Sequence, residues 1–255
     1  TVLLACQSKT DASLEKTGKT ITVTGNAVAS ELTPGILTPV VKSGGGSAIT
    51  GSVEFTGLND YLTIPDSSDF EFGSDDFTIE AFINYGGNPG TGNNTYAIFS
   101  KWDNQSAPND KGFLLRISDD GSGDNLHWLY TTDGSTNKTI TGDTVLSPES
   151  WYHIALVRNG TVGTFYINGV AETPTVNFGS DSIRDTANPF RIGTNYDVGV
   201  PEQEYNGFIS NLRIVKGTAL YTSNFKPPMR ELEVTAETVL LACQSKTDAS
   251  LEKTG

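Results

Sequence analysis

WYHIALVRNGTVGTFYINGV, residues 151–170, reads as two strands joined by a tight turn. Side chains alternate along a strand, so Tyr152, Ile154 and Leu156 share one face and His153, Ala155 and Val157 the other. Both faces are largely apolar, which suits a strand in the middle of a sheet with material packed on each side. Phe165 and Ile167 answer it across the hairpin. Two Asn-Gly pairs, Asn159-Gly160 and Asn168-Gly169, offer the positive φ angles of type I′ turns.

The same grammar extends in both directions. FTIEAFINY (77–85) sets Phe77, Ile79, Ala81 and Ile83 on one face, and YAIFSKW, GFLLRIS and LHWLY follow, separated by Asp- and Gly-rich turns. VEFTGLNDYLTIPDS gives two strand pieces around Leu58, Asn59 and Asp60, and TITVTGNAV turns at Gly25-Asn26. Beyond the hairpin, PFRIGTNY and GFISNLRIVKG supply further strands, the latter bringing Ile209, Leu212 and Ile214 to the core. Residues 43–51 and 85–95 are Gly-rich and polar, and read as loops. About a dozen short strands at intervals of roughly 8 to 15 residues point to a sandwich or barrel. Nothing between them has the length of a crossover helix, which argues against βαβ units. The fold class predicted from these patterns is all-β, a sandwich or barrel with negligible helix.

TVLLACQSKTDASLEKTG occupies 1–18 and returns, letter for letter, at 238–255. A period of 237 is too long for a solenoid and suits a whole domain in tandem. The expected organisation is a module over 1–225, a joint over 226–237 stiffened by Pro227-Pro228, and the start of the next identical unit at 238–255. A polymer whose sequence is written past its own end reads the same way. Both copies are expected to form an opening strand, and Val239, Leu240, Leu241, Ala242 and Cys243 are its candidate inter-unit residues. That strand either crosses to a neighbouring unit or stays in its own. Cys6 and Cys243 are one position in successive units, so no disulfide forms within a unit. A reduced, buried thiol is expected at Cys6, because apolar neighbours flank it. The chain opens on Thr1 rather than Met, so any targeting segment is expected outside it.

The formal net charge is −13. Nucleic-acid binding needs a basic surface to displace phosphate counterions, so nucleic acid is excluded as a partner, and anionic membranes are disfavoured. No run of 18 apolar residues exists, so no membrane insertion is expected. The acidity serves solubility or divalent-cation binding.

VEFTGLNDYLTIPDSSDFEFGSDDFTIEAFINY, WYHIALVRNGTVGTFYINGV and FRIG…YNGFISNLRIVKGTALYTSNFKPP together resemble the laminin G-like modules of the concanavalin A-like lectin and glucanase group. The nearest resemblance is to versions in marine bacteriophage tail or surface proteins and in large bacterial surface repeat proteins. It implies a two-sheet jelly roll and an extracellular, cell-surface or virion location. It leaves function open, because the fold hosts lectins, hydrolases and spacers.

Glucanases of this group carry paired carboxylates on one strand. Here the nearest patterns, Asp76 to Glu80 and Glu202-Gln203-Glu204, lack the further acid, and the two histidines stand without a nucleophile motif. The chain is therefore read as not an enzyme. The resemblance implies a structural calcium at the sandwich rim, with Asp60 the candidate ligand, although Ser210 and Asn211 stand where calcium-binding relatives often have an acid. Candidate sugar-binding residues are Trp102, His127, Trp128, Tyr196 and Asp197, aromatic or polar groups near strand ends and loops. Asn93, Asn104, Asn137 and Asn159 open Asn-x-Ser/Thr sequons and are glycosylation candidates. Two functions follow: a structural repeat of a long extracellular or virion fibre, joined end to end to copies of itself, or a glycan-binding adhesin module displayed in tandem.

Overall fold

The computed structural model describes residues 20–30, 32–34, 49–87, 95–104, 110–119, 121, 123–173 and 176–252. The candidate Asn93 and the segment 1–18, Cys6 included, lie outside the described residues. The strands form two nine-stranded sheets. Each is antiparallel apart from one parallel bridge, Tyr196 opposite Asp103. The first sheet runs Thr22–Thr24, Tyr61–Ile64, Phe190–Ile192, Thr95–Asp103, Asp110–Asp119, Asp124–Tyr130, Lys138–Thr141, and carries the Asn195–Asp197/Val200–Glu202 hairpin on one strand. The second runs Val170–Ala171, Val162–Ile167, Tyr152–Asn159, Phe77–Tyr85, Asn206–Lys216, Ser52–Thr56, Val28–Ser30. One short 3-10 turn, Ser68–Phe70, interrupts the strands.

The hairpin behaves as its alternation demands, with one shift. Ile154 faces Ile167 and Asn159 faces Val162, so Gly160 and Thr161 make the turn, one residue later than the Asn-Gly pair suggested. At the second turn Asn168 and Gly169 both take positive φ, as expected of that dipeptide. Between the sheets, Phe55, Phe77, Ile79 and Ile83 meet Leu62, Phe99, Phe113, Trp128 and Phe190 in one apolar core. Each such side chain contributes about 1.5–3 kcal/mol when fully buried.

The outward face of the second sheet is covered too. Every residue of Phe77–Tyr85 is buried, so alternation alone does not separate inside from outside. Residues 218–232 lie across this face. Tyr221 and Phe225 stack at 3.6 Å and pack with Ala155, Val157 and Tyr166. Beneath them the Glu80 carboxylate accepts from Arg213 Nε (2.9 Å) and Nη2 and from the Tyr221 hydroxyl (2.8 Å), and meets His153 Nε2 at 3.0 Å. Burial opposes ionisation of Glu80, yet the His153 hydrogen bond and the Arg213 charge hold it below the usual carboxylate range.

The segment after 226 belongs to the same packed body. Thr238–Ala242 pairs antiparallel with Asn206–Lys216, Leu240 opposite Ile214 and Leu241 opposite Arg213. It takes up that strand's edge where Ser52–Thr56 ends. Leu240, Ala242 and Cys243 are buried in the same core cluster as the strands that precede residue 225.

Candidate functional site

Where the covering segment ends, one rung of the second sheet stays open. Phe208 pairs with Glu54 on one neighbouring strand and with Asn84 on the other. Tyr152 pairs with Ile83, so the next step back brings Trp151 level with Asn84. Residues level on adjacent strands point to the same face, so Glu54, Phe208, Asn84 and Trp151 form one row. Leu32, Thr33, Glu149 and Asn206 complete the lining of a cavity of about 630 Å³.

The row is held by backbone as much as by side chains. Gly207 takes φ +132, and a Cβ there would lie 2.1 Å from the Asn84 carbonyl oxygen. Only glycine permits that approach. Glu149 donates its N–H to the Tyr85 carbonyl at 2.7 Å, tying the loop before Trp151 to the sheet. The Trp151 and Phe208 rings stand 6.4 Å apart at 42°, both half-buried, and form an apolar wall. Around it, the side chains of Asn84, Asn206, Glu54 and Glu149 make no hydrogen bond to a described residue. An aromatic wall ringed by uncommitted amides and carboxylates is chemistry suited to a hydroxyl-rich ligand.

The profile of the concanavalin A-like lectin/glucanases superfamily matches residues 55–220, which carries most of the strands of both sheets and most of this row. The chain belongs to that superfamily. No curated protein matches it by sequence. Among solved structures, a Bacteroides ovatus protein named as a candidate carbohydrate-binding protein superposes with TM-score 0.55 at 22% identity, over 77% of this chain and 52% of that one. Domain 4 of the Geobacillus stearothermophilus extracellular arabinanase AbnA, in complex with arabinotriose, gives 0.51 at 17%, over 79% and 84%. The binding domain of botulinum neurotoxin serotype G gives 0.54 at 16%, over 80% and 44%. These likenesses are of fold. The chain spans about half the length of the Bacteroides protein.

Within this superfamily module the expected sugar-binding residues divide. Trp128 is a core residue: fully buried and stacked on Phe113 at 5.2 Å, it offers no face to a ligand, which corrects its assignment as a sugar plate. Trp102 lies on the outward face of the first sheet, 4% exposed, its indole spent on Ala97, Leu114 and Leu129 with the Lys111 ammonium 5.6 Å above the ring. His127 is buried on the same outward face, its Nδ1 3.4 Å from the Thr141 hydroxyl. Tyr196 is half-buried, with the Arg191 guanidinium 3.7 Å over its ring and its hydroxyl 2.7 Å from that of Tyr61. Burial, then Tyr61, pushes the Tyr196 phenol up to about 12. The hairpin bearing Tyr196 and Asp197 joins the Trp102 strand, so these three gather at one end of the first sheet. Trp151 and Phe208 were missed by residue-level reading. The signal was Trp151 following the polar run SPES, at the mouth of a strand.

Asp60, the expected calcium ligand, is bonded within the chain: its Oδ1 accepts from the Asn26 N–H, and its Oδ2 from the Thr56 N–H (2.8 Å) and hydroxyl. No group of three or more His, Cys, Asp or Glu side chains arranged to hold a metal occurs among the described residues. Asp76 accepts from the Gly160 N–H at the surface, while Glu80 is sealed beneath Tyr221, so that pair of acids does not converge on a substrate. Asn104, Asn137 and Asn159 are exposed. Among the described residues no helix is long and apolar enough to cross a membrane.

Proposed function

We propose that this module is a non-enzymatic glycan-binding domain that works outside the cell, on a cell surface or on a virion, and that its sugar site is the Trp151–Phe208 groove. The observation that carries this is the open rung: two tilted aromatic rings flanked by amides and carboxylates with no hydrogen-bond partner among the described residues. The Bacteroides protein and the arabinotriose-bound domain support the reading by fold. Glu54 and Glu149 make the groove acidic, which selects neutral sugars over uronic or sialic acids. The other two tryptophans are buried, so quenching of intrinsic fluorescence by a ligand reports Trp151. A neutral oligosaccharide identified on a glycan array is expected to quench the wild type and to bind Trp151→Ala about 10- to 30-fold more weakly, the loss of roughly 1.5–2 kcal/mol at an aromatic anchor. An undiminished affinity in Trp151→Ala would place the site elsewhere, with the Trp102–Tyr196 end of the first sheet next in line.

A second reading, the structural repeat of a fibre, is favoured by a different observation. The second copy of the repeated segment is an integral strand of the sheet that precedes it.

A further inference from the structure

Residues 238–252 form a plug in a built slot. Leu240, Ala242 and Cys243 enter the core, and Ala249 follows them. The Cys243 carbonyl accepts the Asn211 N–H at 3.1 Å. The Gln244 amide donates to Asn211 Oδ1 and to the Leu232 carbonyl (2.9 Å), and the Leu232 N–H donates to the same Asn211 oxygen (2.8 Å). The chain then turns at Ser245, whose hydroxyl oxygen accepts the Asp248 N–H (2.9 Å). It returns so that Glu252 bridges Ala242 and accepts the Leu241 N–H (3.3 Å). Gly51 lies so close that a Cβ would stand 2.3–2.5 Å from the backbone of residues 244–246. The slot therefore reads side chains as well as backbone.

Every side chain that it reads recurs in residues 1–18: Leu3, Ala5, Cys6, Gln7, Ala12 and Glu15 stand for Leu240, Ala242, Cys243, Gln244, Ala249 and Glu252. The chain thus carries the plug sequence twice, and the slot seen on the module is filled by the second copy. We propose that residues 1–18 are a donor segment that enters the corresponding slot of another copy of this protein when that copy's own residues 238–252 leave it, joining copies head to tail. Donor and acceptor are different surfaces, so the contact is heterologous and builds a closed ring or an open chain according to the rotation between copies. Pairing onto the stretch of Asn206–Lys216 that Thr238–Ala242 holds in the resident arrangement supplies backbone hydrogen bonds, as in strand addition generally. Only Lys16 to Thr20 separate Glu15 from Ile21, which is buried in its own core. At roughly 3.3–3.6 Å per residue, that tether spans at most about 20 Å and holds neighbouring modules in contact. The inference stands apart from the glycan reading, and its failure would leave that reading intact.

The test keeps the full chain and empties its own slot. Leu240→Asp disables the resident plug and leaves the identical donor at 1–18 whole. Sedimentation velocity is expected to show this variant growing from monomers into larger species as concentration rises, while Leu3→Asp/Leu240→Asp stays monomeric. A synthetic peptide of residues 1–18 is expected to raise the melting temperature of the double variant in a saturable way, and the same peptide carrying Leu3→Asp is expected to leave it unchanged. The peptide arm also covers the case in which Leu240→Asp unfolds alone, because rescue then appears as refolding. A Leu240→Asp chain that remains monomeric at all concentrations overturns the proposal, whether its slot is empty or closed by its own residues 1–18. So does a double variant that associates equally, or one that ignores the peptide.

Discussion

At residue scale, two buried polar groups hold the second sheet's outer layers. Asn211 takes a left-handed φ of 53°, is fully buried, and serves both Leu232 and Gln244. Asn tolerates that conformation because its short amide bonds locally. Asn211→Ala keeps the strain and strands the Leu232 N–H, so a loss of about 2–4 kcal/mol is expected in urea unfolding. Glu80 carries a pH signature. Its folded pKa is depressed, so its contribution is present above the ordinary unfolded value of about 4.3 and disappears as pH falls through the lower folded value. The melting temperature of the wild type is expected to fall below about pH 4. Glu80→Gln is expected to lose about 3–5 kcal/mol at pH 7, because Arg213 is left buried without its counter-charge, and to show a flatter acid limb. Cys243 runs the other way: burial pushes its thiol up to about 12, so it resists labelling in the native protein, and its contribution declines as pH rises above the ordinary thiol range.

At element scale, the strand Thr238–Ala242 and the covering segment 218–232 both close a sheet that would otherwise be incomplete. Gly51 tests how tightly the first is seated. Its φ is ordinary, so Gly51→Ala acts through space alone, pressing a methyl against the backbone of residues 244–246. Overpacking of this kind costs about 1–3 kcal/mol. Limited proteolysis is expected to cut within 238–255 faster in Gly51→Ala, with the rest of the sandwich still resistant. Cleavage at the wild-type rate would mean that the plug re-seats without strain. The covering segment explains why Phe77–Tyr85 shows no polar face: Thr78, Glu80 and Phe82 look outward yet are roofed over, and only Asn84, at the strand's end, reaches the open groove.

At the scale of the whole molecule, the proposed glycan site predicts that the net charge of −13 and the acidic groove act together on ligand choice. An acidic oligosaccharide is expected to bind more weakly than its neutral counterpart at low salt, with the gap narrowing as salt rises and screening shortens to about 8–10 Å. Titration calorimetry at two ionic strengths checks this. A salt-independent ratio would show that shape alone discriminates.

The alternation in 151–170 and 77–85, the turn dipeptides and the spacing of strands were enough to determine an all-β sandwich or barrel, because strand periodicity is local and short; the choice of two packed antiparallel sheets came from the family resemblance and is met in the structure. The 18-residue identity was legible too, but the bonding of Asp60 was not, because one of its partners, the Asn26 N–H, lies 34 residues away along the chain. Trp128 and Trp102 were not separable from binding residues at that level. An aromatic on a two-faced strand looks the same whether its side points into the core, as Trp128 does, or onto a covered outer face, as Trp102 does. Only the tertiary structure decided which face the segment 218–232 would cover, and hence that Trp151, Phe208 and Asn84 would be left open together. The same holds for residues 238–252, whose pattern specifies a strand but not the sheet that receives it. That choice rests on Asn211, Gly51 and Leu232, contacts contributed from distant stretches of chain, which no local pattern encodes.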